Sequence, residues 1–152
     1  MRARNAAIFG IAAAVAVAGL AIARRRHLTE VLPAVESTHA VRIVRRDRSG
    51  LPEKKGLVRA PARVRAITEA LGIDAHPGGE CPPDYADADF GIVLAGNNVY
   101  VRRNVYVFGM LGDGGAPPPP SVVSVTSAGC RVGPPASLES LRSELRAAGT
   151  LD

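Results

Sequence analysis

Tryptophan is missing from this chain, and Phe and Tyr supply only three residues each, so any core must be built from Val, Leu, Ile and Ala. Lysine is nearly missing as well: Lys54 and Lys55 stand against seventeen arginines. With heavy Ala, Gly, Pro and Val use, that bias points to a GC-rich genome and says little about function. Histidine is scarce. His27 and His39 lie in the N-terminal part, and His76 sits beside Asp74 in a loop, where a solvated polar residue is the commoner role. Two cysteines exclude a many-bridged scaffold. They also argue against a zinc site, for which Cys81, Cys130, His76 and a carboxylate would be the donors, without a C-x-x-C pair. There is no G-x-S-x-G, H-E-x-x-H or P-loop pattern. Asp89-Phe90-Gly91 spells a kinase tripeptide in a chain too short for the rest of that machinery, and residues 109–115 resemble a phosphate loop only in being glycine-rich.

Acidic residues are sparse at the start. Up to Arg65 there are fourteen basic residues against Glu30, Glu36, Asp47 and Glu53, whereas the remainder has five basic against ten acidic, within a total of +5. Such a basic run is ordinarily a solvated face. Tyr100 and Tyr106 around Arg102-Arg103 imitate a nucleic-acid stacking platform, but no accompanying motif supports one and we expect no nucleic-acid partner.

The strongest positive signal is residues 6–23, eighteen uncharged and largely apolar positions between Arg2/Arg4 and Arg24-Arg25-Arg26. Its apolarity has no polar side, unlike a surface helix of a soluble domain. At about 1.5 Å per residue it would reach roughly 27 Å, just short of a hydrocarbon core of about 30 Å. Half of it is alanine, and Gly10 and Gly19 weaken it further. A basic start, an apolar centre and the small-x-small ending Ala21-Ile22-Ala23 fit a cleaved signal peptide. Arg24, Arg25 and Arg26 oppose translocation and keep an uncleaved transmembrane anchor open, with the domain on either side. In an anchored chain these arginines would contact anionic lipid, each contributing about 1 kcal/mol.

The expected division is residues 1–23 as signal peptide or anchor, 24–40 as a basic linker, 41–148 as one domain and 149–152 as a tail. Residues 41–46 alternate apolar and basic, although Val44 breaks the pattern, and with 55–60 they read as a hairpin. A helix follows from Pro61, with Val64, Ile67 and Leu71 on one face and Gly72 as its stop. Residues 74–89 form an acidic loop. Residues 90–95 and 99–108 are the best strands, joined at Gly96-Asn97-Asn98, and residues 112–120 form a Gly-rich, polyproline loop. Residues 122–126 make the last strand. Ser137 then caps a helix striped by Leu138, Leu141, Leu145 and Ala148. These elements predict an α+β domain: an antiparallel sheet of about five strands, one helix after the first hairpin, and a C-terminal helix packed on the sheet.

Cys81 and Cys130 lie beyond the export segment and flank the strongest strands, so an oxidising compartment would join them; two idle thiols in a cytosolic domain is the other reading. The combination of residues 41–46, Pro61-Ala62-Arg63-Val64, Cys81-Pro82-Pro83-Asp84 and Gly129-Cys130-Arg131-Val132 resembles small exported bacterial domains of unassigned function, often lipoproteins or secreted proteins. The resemblance covers roughly residues 41–133. It implies a disulfide-stapled α+β domain and no particular activity. There is no lipobox cysteine near Ala23, so it does not extend to lipid attachment.

Two function classes follow. One is a non-enzymatic binding or structural module of the cell envelope with an unidentified protein partner, using residues 112–120 or 84–89 as contact surface. The other is an exported enzyme with a site near His76 and Asp84, Asp87 and Asp89. Those aspartates lack the glycine and terminal glutamate of an EF-hand loop, so no metal and no cofactor is expected.

Overall fold

The computed structural model describes residues 38–47, 51–96, 102–111 and 119–152. They form a seven-stranded, wholly antiparallel sheet with two helices, an α+β fold. The strands are β1 (Thr38–Arg45), β2 (Lys54–Val58), β3 (Gly78–Gly79), β4 (Phe90–Gly96), β5 (Arg102–Phe108), β6 (Ser121–Thr126) and β7 (Gly129–Gly133). Helix α1 (Pro61–Leu71) follows the β1-β2 hairpin, and α2 (Leu138–Ala147) follows β7. The spatial order is β2-β1-β4-β5-β6-β7-β3.

The strands' period of two sorts their residues onto two faces. On one, Val41, Ile43, Phe90, Ile92, Leu94, Val105, Val107 and Val122 are buried with Val64, Ile67 and Leu71 of α1 and Leu141 and Leu145 of α2. The C-terminal helix lies beside α1, to which Arg63 Nε joins it by donating to Glu144 Oε2 at 2.9 Å. Ser137 caps α2, its side chain accepting from the Ser140 N–H at 3.3 Å. Gly72 ends α1 at φ 64°, in the left-handed region where a side chain costs energy.

Two strands of the seven are additional to the five expected, β3 and β7, and they pair with each other through Gly78/Arg131 and Gly79/Cys130. Strand β1 begins at Thr38, inside the segment expected as linker, and β2 ends at Val58. The apparent break in β1 has a physical reason. Arg45, only 1% exposed, occupies a core-side position, so Val44 belongs to the opposite face and the alternation is unbroken from Val41 to Arg45. The Arg45 guanidinium donates to Asp152 Oδ2 at 2.9 Å and to the Pro52 carbonyl at 3.0 Å. Thus the last residues are part of the packing: Thr150 is buried, and its hydroxyl donates to the Leu145 carbonyl at 2.9 Å.

Among the described residues no helix is long and apolar enough to cross a membrane. Residues 6–23, Arg24 to Arg26, most of the linker, the turn at Asn97-Asn98 and most of the proline-rich loop lie outside the described residues.

Candidate functional site: a bowl on the open sheet face

The sheet face away from the helices carries two cross-strand rows. One runs Leu57, Arg42, Val93, Asn104; the other runs Lys55, Val44, Gly91, Tyr106, Val123, Val132. Over β6 and β7 this face is covered by the 81–89 loop. The Cys81–Cys130 disulfide ties the loop down, with Cα atoms 5.1 Å apart, and Tyr85 stacks on Tyr106 with ring centroids 4.4 Å apart. Tyr85 also places its hydroxyl 3.3 Å from Cys130 Sγ. Val123 is therefore buried although it faces away from the helices.

Where the loop stops, the face opens into a bowl of about 500 Å³. Val44, Gly91 and Val93 form its floor, Tyr106 and Ala86 one wall, and Arg46, Asp47, Glu53 and Asn104 contribute polar groups. Gly91 sets its depth. A Cβ built there would meet nothing within 4 Å, so the missing side chain is open volume between Val44 and Tyr106. Arg46 extends its guanidinium to 5.8 Å from the Tyr106 ring centroid, a cation–π contact. Glu53 pairs with Lys55 at 2.7 Å. Behind the floor Ile92 and Val105 are buried in the core, so the bowl rests on rigid strands.

The acidic loop and His76 have other duties. His76, expected to be a solvated loop residue, is instead buried against Gly133, and its Nε2–H donates to the Pro134 carbonyl at 2.8 Å. Asp89 is 1% exposed, and its Oδ2 accepts from the Met110 and Leu111 N–H groups at 2.6 and 3.1 Å. It anchors the chain leaving β5. Asp84 accepts the Ala86 N–H at 2.7 Å, a local turn at the surface. Neither the bowl nor a cleft beside α1 lined by Thr38, Val64, Thr68 and Asp74 includes His76, Asp84, Asp87 or Asp89. No group of three His, Cys, Asp or Glu side chains placed to hold a metal occurs among the described residues.

No family model, curated protein or solved structure matches the chain. Its chemistry is therefore read from geometry alone.

Of the stacking platform suggested by Tyr106, Arg102 and Arg103, only part shares a face. Arg102 lies on the open side with Tyr106. Arg103 points into the core side, 5% exposed, donating from Nε to Ser124 Oγ at 2.7 Å and from Nη1 to Asp74 Oδ1 at 2.8 Å. Tyr100 lies outside the described residues. The bowl itself is not a sequence motif. Its one linear signal is Gly91 inside an otherwise apolar strand, a position that commonly marks close approach or open space.

Proposed function

We propose that this chain is an exported cell-envelope domain, released by cleavage of residues 1–23 or anchored by them, that binds or organises a partner and is not an enzyme. The observation that carries this reading is the Cys81–Cys130 disulfide, which is kept in oxidising compartments outside the cytosol. Residues 6–23 supply an export or anchoring signal in keeping with it, and the resemblance to small exported bacterial domains agrees. Where the chain remains anchored, Arg24, Arg25 and Arg26 would lie against anionic lipid head groups. Engagement of His76 and Asp89 in holding the backbone favours binding over catalysis, because two of the four side chains of the competing enzyme reading already have structural duties.

Cell fractionation followed by N-terminal sequencing and non-reducing peptide mass spectrometry tests the reading. Protein outside the cytosol, starting at Arg24 if released or with an intact N-terminus if anchored, should contain a peptide pair joined through Cys81 and Cys130. Cytosolic protein with two free thiols would overturn it.

A further inference from the structure

We propose that the bowl on the open sheet face is a carbohydrate-binding site, taking one sugar ring of an envelope glycan onto the Gly91 floor with its hydroxyl groups turned to the polar residues around it. The inference rests on the reading of the chain as an extracytoplasmic binding module. At about 500 Å³ the bowl falls within the roughly 300–1,000 Å³ of small-molecule sites.

Its shape and its polar groups select the ligand class together. The floor is low and apolar: Val44 and Val93 flank the bare backbone of Gly91, and Tyr106 stands beside it. Such a floor fits a flat ring that presents C–H groups on one side. The polar groups combine donors with acceptors. Arg46 donates only, Asp47 and Glu53 accept only, and the Asn104 amide does both, which matches hydroxyls that each donate and accept. Among the described residues the side chains of Asn104 and Asp47 make no hydrogen bond or ion pair with the protein. They are therefore available to a ligand.

Charge separates the bowl from its surroundings. Within the lining one arginine stands against two carboxylates, a balance that does not select a polyanion such as a nucleic acid or an anionic lipid surface there, whereas Arg42, Lys55 and Arg102 lie on the same face outside the lining. An acidic peptide would meet the same Asp47 and Glu53. A wholly apolar ligand would bury the side chains of Asp47 and Asn104 without partners. Preorganisation favours binding, since the strands behind the floor are locked into the core and the Tyr106 wall is braced by Tyr85 on the disulfide-tethered loop.

The test uses the full chain, purified with its disulfide intact, titrated with chitotetraose and with maltotetraose by calorimetry and by backbone amide NMR. Saturable binding to at least one sugar is expected, with the largest shift changes at Gly91, Val93, Asn104 and Tyr106. Gly91→Leu should fill the floor and weaken binding by about tenfold or more, and Asn104→Ala, an exposed position whose loss leaves the fold intact, should weaken it by about tenfold. Gly78→Ala, on the distant edge strand, should leave affinity unchanged. Absence of saturable binding to either sugar would overturn the inference, as would binding insensitive to both bowl variants, or preferential binding of a glutamate-rich peptide at the same residues. Fractionation and thiol mapping use no sugar, so failure of the extracytoplasmic reading would be seen separately.

Discussion

Glycines 72 and 133 show how single residues hold this fold by having no side chain. At Gly72 the backbone is left-handed, and a Cβ would stand 2.7 Å from that of Ala136. Gly72→Ala should therefore lower stability by roughly 1–3 kcal/mol, read from a shifted urea midpoint at unchanged m-value. At Gly133 a Cβ would lie 2.6 Å from His76 Cδ2, so Gly133→Ala should push the ring off the Pro134 carbonyl. A double-mutant cycle with His76→Ala checks this: the two losses should be clearly less than additive. Asp89 holds the fold through its side chain instead. Asp89→Ala orphans the Met110 and Leu111 N–H groups and should cost roughly 1–3 kcal/mol for each, a loss of stability where a catalytic role would give loss of turnover.

At the scale of elements, β1 and the chain's last residues depend on one another. Arg45 is held in the core side of β1 by Asp152, whose carboxyl is kept below its ordinary value of 3.8 by the hydrogen bond from Lys54 Nζ first and then by that from Arg45. A lowered folded-state pKa means that this contribution is complete above the unfolded value and is lost as pH falls through the folded one. Thermal melts should show the wild type losing its advantage over Asp152→Asn as pH drops below about 4, with a constant difference near neutrality. The same pairing explains what periodicity left hidden. Both helices and five strands are legible from spacing and caps, because each has an apolar face and recognisable ends. Arg45 and Arg103 disguise the core face of their strands, since their partners Asp152 and Asp74 are distant in sequence. Strands β3 and β7 are short and bounded or formed by glycine, and they emerge only from pairing, β7 with β6 and β3 with β7.

Across the whole molecule the disulfide is the longest-range covalent constraint, closing a loop with a sequence separation of 49. In the chain-entropy model that is worth about 4 kcal/mol. The pair Cys81→Ser and Cys130→Ala should show about that loss in urea unfolding. Tyr85 should also be released from Tyr106, read as changed ring-proton shifts, while the Asp89 anchor to Val107, Met110 and Leu111 keeps the end of the loop in place. The disulfide was legible because two cysteines flank a strand block; the bowl was not, because its floor and polar groups come from β1, β4, β5 and the segments beside them, with no linear order to mark them. The alternation that built those strands has a further consequence. Ile43, Ile92 and Val105 answer to the core, while their chain neighbours Arg42, Val93 and Asn104 lie on the face without helices. Each strand thus carries two nearly independent sets of positions, so substitutions at the second set can reshape the open face while the first keeps the scaffold unchanged.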